Sequence, residues 1–336
     1  MGESIVTKLP RGGHFGSDDP AIAAASVEES TAYERSVRGV EIQSVRTGEG
    51  HGSTLVQSDV GADFVVTSVT TGFPMVSSTT IDDGVAAAIA IRSAPPGARW
   101  CGIDVKAGMV VVYGPGVEHT AVNPEGMSFA FAVLAVDDLS RVADSMQAEL
   151  AGPGEGEVFV PSPSPASVRL HEALANHCQE TAQLRTPADR GSHVLASLTS
   201  VLGQPPHNDR LGTHSQYVGR RVARACIEYA ETIGRVPTIP ELCMAAGVSE
   251  RGLHRAFTAT FGIPPSLYFR RWGLDAVRKR LLDTSESVDG AVTREAFALG
   301  FKHLGRFAGY YRQQYGESPS ETLKQSLRSP GMVPAS

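Results

Sequence analysis

Apolar positions along this chain change their spacing near its middle, from strand-like runs to a helical repeat. The runs Phe64–Thr70 and Met109–Tyr113 are rich in β-branched and aromatic residues. Turn residues separate such runs, as at Pro95–Gly97 and Gly114–Gly116. The many short strands predicted between residues 21 and 136 favour a barrel or a jelly roll.

Two helices are predicted after the strands, at residues 166–184 and 188–202. Their inward positions are Val168, Leu170, Leu174 and Cys178 in the first helix, and Val194, Leu195, Leu198 and Leu202 in the second. We interpret this pair as a dimerisation segment. The alternative is that it packs only onto the barrel of its own chain.

The pattern is helical throughout from Tyr217 onward. A long central helix is predicted at residues 265–282, with Leu267, Tyr268, Trp272, Leu274, Val277, Leu281 and Leu282 as its apolar positions. Tyr268 and Trp272 are predicted to form a pair in the core, with a platform for a nucleobase as the alternative.

A helix-turn-helix pattern occurs on each side of the central helix. The first copy covers Leu242–Phe257 and turns at Gly247, and the second covers Val292–Phe307 and turns at Gly300. Glycine suits the turn because it adopts positive φ without a Cβ clash. The second helix of such a pair is the one that enters the DNA major groove. Two copies predict two contacts with one face of the DNA.

The charge distribution supports this interpretation although the formal net charge is −6. Residues 217–328 contain 17 Lys and Arg against 11 Asp and Glu, whereas residues 1–216 contain 13 against 25. A basic C-terminal part joined to an acidic body is typical of a DNA-binding module attached to another kind of domain.

The outward face of the first recognition helix supplies candidate DNA contacts. Ser249 is the expected N-cap, and Leu253 and Phe257 are expected in the core. The outward residues are then Glu250, Arg251, His254 and Arg255. Arg251 and Arg255 share a face, and an arginine there can donate two parallel hydrogen bonds to guanine. The alternatives are a phosphate contact or an ion pair.

The second recognition helix supplies fewer candidate base contacts. Phe301, Phe307 and Tyr311 are expected in the core, which leaves Lys302, His303, Arg306 and Arg312 outward. Gly305 and Gly309 each lower the helix propensity by about 1 kcal/mol. We expect phosphate anchoring here, with Arg306 as the best candidate for reading a base. Further arginines form clusters that could meet phosphates, with an ordinary surface arginine as the alternative for each: Arg220, Arg221, Arg224, Arg270, Arg271, Arg278 and Arg280.

Residues 217–328 resemble the AraC/XylS family of bacterial transcription regulators. The resemblance rests on Gly300-Phe301, Phe307 and Tyr315–Ser320 in the second half, together with Gly247–Ser249, Leu253–Phe257, Phe261-Gly262, Pro265 and Tyr268 in the first. It implies a sequence-specific regulator, an activator where it contacts RNA polymerase, that binds double-stranded DNA in the cytoplasm. The family usually has a basic or polar residue at the position of Gly309.

A second resemblance covers Gly108–His119, which looks like a late strand and turn of the cupin-like sensor domain common at the N-terminus of this family. It implies a small-molecule effector. Cupin enzymes carry a His-x-His motif and a downstream Glu as metal ligands, and His51 and His119 do not fit that pattern. We therefore expect neither cofactor nor metal, and interpret His119 as a turn residue hydrogen-bonded to the backbone.

Other chemistry is not indicated by the sequence. The cysteines have no metal-site spacing, and the longest apolar run, Phe129–Val136, is far shorter than the about 20 residues of a membrane span. We expect an α+β chain in which a cupin-like β-barrel precedes dimerisation helices and an all-α double helix-turn-helix domain. The alternatives are a barrel that only dimerises or contacts proteins, and a cupin-type enzyme fused to a DNA-binding domain.

The expected order of segments follows from these assignments. They are a loose start at 1–20, a cupin-like ligand-binding domain at 21–150, a connector at 151–165, the helical dimerisation segment at 166–202, a linker at 203–215, the DNA-binding domain at 216–328 and a loose tail at 329–336.

Overall fold

A computed structural model of the chain describes residues 22–27, 40–48, 54–60, 64–150, 152, 154–177, 187–204, 214–283 and 290–328. The predicted loose ends, most of the predicted linker and Cys178 lie outside these residues. The chain divides into two compact units, of which the first comprises residues 1–44, 52–72 and 77–212, and the second residues 45–51, 73–76 and 213–336.

Two sheets contain the described strands of the N-terminal part. The larger has the order β1-β3-β4-β11-β6-β9-β12, formed by Ile22–Val27, Thr54–Val60, Phe64–Thr70, Ser128–Ala135, Val85–Ser93, Val110–Tyr113 and Val158–Phe159. The smaller has the order β2-β5-β10-β7-β8, formed by Val40–Arg46, Met75–Ile81, Glu118–Asn123, Arg99–Trp100 and Ile103–Asp104. Among the described residues each sheet ends in two edge strands and neither closes, so the expected cupin-like barrel is not confirmed.

The central strands of the larger sheet are buried on both faces. In β11, Phe129, Phe131 and Val133 belong to one apolar cluster, together with residues of the smaller sheet. Ala130 and Ala132 alternate with them and belong to a second cluster on the other face. A strand covered on both sides reads as a continuous apolar run, which explains the run that begins at Phe129.

Among the described residues, three helices accompany the sheets. They are α1 at Val136–Met146, α2 at Pro165–Ala175 and α3 at Pro187–Leu202. No pattern in the sequence predicted α1. Leu170 and Leu174 of α2 pack with Val194 and Leu198 of α3 against the alanine-rich face of the larger sheet. The apolar faces of the predicted dimerisation segment are thus used within the chain.

The first of these predicted helices needs two corrections. It was expected to reach residue 184, but α2 ends at Ala175, where Asn176 forms the C-cap; asparagine is a weak helix former. Val168 was expected inward but is 54% exposed. Leu170 and Leu174 define the buried line, and a residue two positions from Leu170 points to the opposite side of a helix.

His119 also differs from its interpretation as a turn residue. It is the second residue of β10, it is 6% exposed, and its ring stacks on Tyr113 with 4.6 Å between ring centroids. The turn lies just before it, at Gly116 with φ 68°. Successive side chains of a strand point to opposite faces, so His119 lies on the same face as the buried Ala121 and Asn123.

The second unit is helical from residue 214 onward, as expected. Its helices are α4 at His214–Ile233, α5 at Ile239–Ala246, α6 at Glu250–Phe261, α7 at Pro265–Asp283, α8 at Ala291–Ala298, α9 at Leu304–Tyr315 and α10 at Pro319–Arg328. The predicted central helix matches α7 to within one residue. Within the described part of the chain, no helix combines the length and apolar character that a bilayer crossing requires.

Candidate nucleic-acid interface

The first helix-turn-helix is formed by α5 and α6. Gly247 ends α5 with φ 64°, a conformation that glycine adopts at little cost. Ser249 then caps α6, because its Oγ accepts a hydrogen bond from the N–H of Gly252 at 3.2 Å. The predicted N-cap is confirmed.

The charged Glu241 carboxylate stabilises the N-terminus of α5. The Glu241 carboxylate accepts hydrogen bonds from the N–H of Thr238 at 2.7 Å and from Arg235 Nη2 at 2.6 Å. These bonds, that of Arg235 first, lower the pKa of Glu241 to about 2. The carboxylate therefore stays charged at the N-terminus of α5, where a negative charge is favoured by the helix dipole.

The inner face of α6 is held by aromatic contacts. The Phe257 ring lies 5.6 Å from Phe261, 5.4 Å from Tyr268 and 5.5 Å from Phe269, measured between centroids. Phe261 and Tyr268 stack at 4.8 Å. Recognition helix α6 is thus fixed against the beginning of α7.

The outer face of α6 carries the predicted residues. Glu250, Arg251 and Arg255 are exposed, and His254 is half-buried. They lie in the first half of the helix, which is the part that reaches base edges in helix-turn-helix proteins.

The second helix-turn-helix is formed by α8 and α9, with Gly300 at φ 87° in the turn. Phe307 and Tyr311 are buried, as expected, and Phe301 is half-buried against them. Lys302, His303, Arg306 and Arg312 are all exposed, the first two just before α9 and the other two on it. A Cβ added to Gly305 or Gly309 would meet no atom within 4 Å.

Within the described part of the chain, other arginines of this unit form ion pairs, unlike the candidate DNA-contacting residues on α6 and at α9. Arg224 pairs with Glu228 at 2.6 Å and Arg280 with Glu295 at 3.3 Å, whereas the candidate cations on α6 and at α9 form no ion pair with any residue the structure describes. Arg312 is close enough to Glu321 to help lower the pKa of that carboxyl group, after hydrogen bonds from Ser318. The candidate cations therefore remain available to an external anion.

Arg278 is not available for a phosphate contact. Its Nη1 pairs with Glu317 Oε1 at 2.6 Å, and its side chain is only 13% exposed. Burial would raise the pKa of Glu317, but hydrogen bonds from Thr322 and Arg278 lower it overall. This arginine joins α7 to the segment after α9 and has a structural role.

The motif Tyr315–Ser320 is structural in the same way. Tyr315 donates a short hydrogen bond to Asp275 of α7, and burial raises its pKa well above the usual value. The Ser318 N–H donates to Glu321 Oε2 at 2.6 Å at the start of α10. The residues that make this sequence recognisable hold the second module together.

The two modules are joined directly as well as through α7. The Val236 N–H, in the loop between α4 and α5, donates to the Leu299 carbonyl at the end of α8 at 3.0 Å. Gly273 lies beside this junction, where an added Cβ would stand 2.4 Å from Val236 Cγ2 and 3.1 Å from Phe301 Cζ. Gly273 was not among the residues predicted to be important, although a glycine inside an apolar helical run is a signal of close packing.

Tyr268 and Trp272 do not form the expected local core pair in one cluster. Tyr268 is 3% exposed among the aromatic residues of the first module. Trp272, one turn later on α7, is half-buried against the cluster of the second module. The two aromatic residues therefore serve different modules.

Comparison with known proteins agrees with this geometry. The helix-turn-helix domain family matches residues 242–325. The XylDLEGF operon transcriptional activator of Pseudomonas putida is 39% identical over 95 residues, which cover 28% of this chain and 29% of the relative. The probable thc operon regulatory protein of Rhodococcus erythropolis is 36% identical over 104 residues, 31% of each chain.

A solved structure, that of a probable AraC family transcriptional regulator from Rhodopseudomonas palustris, is 35% identical and covers 31% of this chain and 96% of its own, with a TM-score of 0.28. The match spans about three tenths of the length of each of these two curated relatives. The C-terminal part of the chain is a helix-turn-helix DNA-binding domain. Through this domain the chain belongs to the AraC/XylS family of transcription regulators.

Proposed function

We propose that the whole chain is a one-component transcription regulator and not an enzyme. Its C-terminal domain binds specific sites in double-stranded DNA through α6 and the N-terminal part of α9. Its N-terminal sheets bind a small-molecule effector that changes DNA binding or transcription. An effector has this consequence when it binds one arrangement of the protein better than another.

One observation carries the proposal. Two helix-turn-helix modules, joined by the Val236–Leu299 hydrogen bond, each present exposed basic side chains that have no ion-pair partner among the described residues. Exposed, uncompensated cations on paired recognition helices are suited to phosphates and to the acceptor edges of bases.

The names of the relatives support the direction of regulation. The Pseudomonas relative is named as a transcriptional activator of an operon. We propose activation for this chain too, with RNA polymerase as a partner and the cytoplasm as its location. We also propose a homodimer. Since the apolar faces of α2 and α3 cover the larger sheet, a dimer would use outer positions such as Val168, which is 54% exposed.

DNA binding by the fragment of residues 212–328 tests the proposal. The logarithm of its affinity should fall linearly with the logarithm of salt concentration, with a slope of about −0.9 for each phosphate contact. Arg255→Ala should weaken binding, whereas Arg224→Ala, which removes a cation already paired with Glu228 at 2.6 Å, should leave the affinity nearly unchanged. A folded fragment without salt-dependent DNA binding would contradict the proposal.

A further inference from the structure

A cavity of about 30 Å³ lies between the two sheets of the first unit. Residues from β2, β5, β6, β7, β9, β10 and β11 surround it. A cavity needs roughly 10–15 Å³ to hold one water molecule, so this space has room for about two. A packed core contains few spaces of this size, and the side chains around this one are not those of an ordinary core.

Aromatic rings form much of the wall. The Trp100 ring meets Phe129 edge-on at 5.2 Å and lies 6.0 Å from His119, measured between centroids. His119 in turn stacks on Tyr113 at 4.6 Å, and Phe131 completes this side of the cavity. Such walls suit the edge-to-face and stacked arrangements that aromatic rings prefer.

Polar side chains converge on the same space. Ser77, Thr79, His119 and Asn123 line the cavity, and each is less than 9% exposed. The Asn123 Oδ1 accepts a hydrogen bond from Trp100 Nε1 at 2.9 Å, which fixes the orientation of that ring. Buried polar groups need hydrogen-bond partners, and a mainly apolar cavity with a few convergent polar groups is typical of a small-ligand site.

The charge of the lining residues and the space next to the cavity limit the charge and the size of a ligand. Among the described residues that line it there is no Lys, Arg, Asp or Glu, so a buried ionic group on a ligand would lack a side chain of permanent opposite charge. A second cavity of about 10 Å³ has an apolar lining and shares Trp100 and Tyr113 with the first. A ring-sized ligand needs a space on the order of 150 Å³, so its entry requires displacement of Tyr113 or of Trp100, the latter with loss of its hydrogen bond to Asn123.

We propose that this cavity binds a small, uncharged, monocyclic aromatic compound that carries one hydrogen-bonding substituent. The substituent faces Thr79, His119 and Asn123, and the ring of the ligand packs among the aromatic walls. The proposal that a ligand binds here depends only on the cavity and its lining residues. Its effect on transcription rests on the proposed function.

The fluorescence of Trp100 tests the site in the full chain. The protein has two tryptophans, Trp100 and Trp272, so Trp272→Phe leaves the cavity residue as the reporter. Three probes of similar shape are compared: benzamide, benzoate and toluene. Benzamide should change the fluorescence saturably. Benzoate should bind at least tenfold more weakly because burying an unpaired charge is costly. Toluene should also bind more weakly because it offers no hydrogen bond to Thr79.

A matched pair of variants locates the polar contact. Thr79 and Thr80 are neighbours on β5, but Thr79 lines the cavity and Thr80 is exposed. Thr79→Val should lower the affinity for benzamide about three- to tenfold, the size expected for one hydrogen bond, and leave that for toluene unchanged. Thr80→Val should alter neither. Calorimetric titration of the unsubstituted chain provides the same comparison if Trp272→Phe fails to fold.

The outcomes separate the ligand site from the proposed function. Failure of all three probes to bind at millimolar concentration, or benzoate binding as tightly as benzamide, would overturn the inference while DNA binding measured on the same protein still stands. A chain that binds benzamide with the expected Thr79 and Thr80 contrast, but binds no DNA, keeps the ligand site and loses the proposed function.

Discussion

Two glycines on helices of the DNA-binding domain have opposite surroundings. At Gly273 in α7 an added Cβ would stand 2.4 Å from Val236 Cγ2, whereas at Gly309 in α9 it would meet nothing within 4 Å. Alanine gains about 1 kcal/mol over glycine in a helix interior, while overpacking costs about 1–3 kcal/mol. Gly273→Ala should therefore destabilise the fragment of residues 212–328 by up to about 2 kcal/mol, and Gly309→Ala should stabilise it by up to about 1 kcal/mol.

Urea unfolding of the two variants measures both effects. They carry the same substitution on helices of one domain, so differences in the unfolded chain cancel between them. If Gly273→Ala were as stable as Gly309→Ala, the close packing of Val236 and Phe301 against α7 would not contribute to stability, and the junction between the modules would have to rest on other contacts.

Arg251 and Arg221 are exposed arginines with different expected roles. Arg251 is in the first turn of α6, where it can reach a base edge, and Arg221 is on α4. Arg251→Ala should relax the preference at one base position by about 1–3 kcal/mol. Arg221→Ala should weaken binding to all sequences alike, as loss of a phosphate contact does. Selection from a randomised operator library measures both; a uniform loss from each variant would contradict this assignment.

Local chemistry explains which residues the sequence could predict. The Ser249 cap and the Gly247 and Gly300 turns depend on the conformation of a few consecutive residues, and all three are found where expected. Arg278 looked like any surface arginine, because its partner Glu317 is 39 residues away along the chain. Gly273 was missed for the same reason, since the atoms that require a glycine come from other segments.

At the scale of elements, the start of α5 depends on one carboxylate. The folded-state pKa of Glu241 is about 2, below its ordinary value of 4.5. A group whose pKa is lowered by folding stabilises the protein above its unfolded-state pKa, and this contribution is lost as the pH falls toward the folded-state value. The stabilisation by Glu241 should therefore be complete above pH 4.5 and disappear between pH 4.5 and about 2.

Glu241→Gln isolates this contribution from those of other acidic groups. At pH 7 the variant should unfold at a lower urea concentration than the parent fragment, and the gap between the two midpoints should narrow as the pH falls below 4.5. A gap that stays constant from pH 7 to pH 3 would mean that the charge on Glu241 does not stabilise the helix start.

Element lengths were predictable where a start signal precedes apolar residues at helical spacing. The central helix matches its prediction to within one residue because Pro265 begins it and the buried Leu274, Val277 and Leu281 recur three to four residues apart. The apolar run from Phe129 did not indicate that β11 ends at Ala135 and that α1 begins at Val136. A strand buried on both faces and the helix after it share an apolar composition, so periodicity alone does not mark the boundary.

At the scale of the whole molecule, the geometry of the DNA-binding domain constrains the operator. The Val236–Leu299 hydrogen bond of 3.0 Å and the packing at Gly273 join the modules. Between them, α7 has 19 residues and is about 28 Å long. The recognition helices should therefore meet successive major-groove faces, roughly 34–36 Å apart. Each chain should read two boxes about one helical turn apart on one side of the duplex.

The first box should dominate specificity. Recognition helix α6 presents Arg251 and Arg255 from exposed positions, whereas Gly305 and Gly309 leave part of α9 without side chains that reach bases. Substitutions in the first box should therefore lower affinity more than equal numbers of substitutions in the second.

Inserted base pairs between the boxes test the joined arrangement. Five extra base pairs rotate the second box by about half a turn to the opposite face of the duplex, so α6 and α9 of one rigid domain can no longer contact both boxes, and affinity should fall to that of a single box.

Ten extra base pairs restore the face but add about one helical turn of distance, which a rigid domain cannot span and a flexible tether could. Footprinting should therefore show protection of the first box alone in both cases. Undiminished affinity after the five-base-pair insertion would mean that one helix-turn-helix engages DNA, and recovery after the ten-base-pair insertion would mean that the modules move independently.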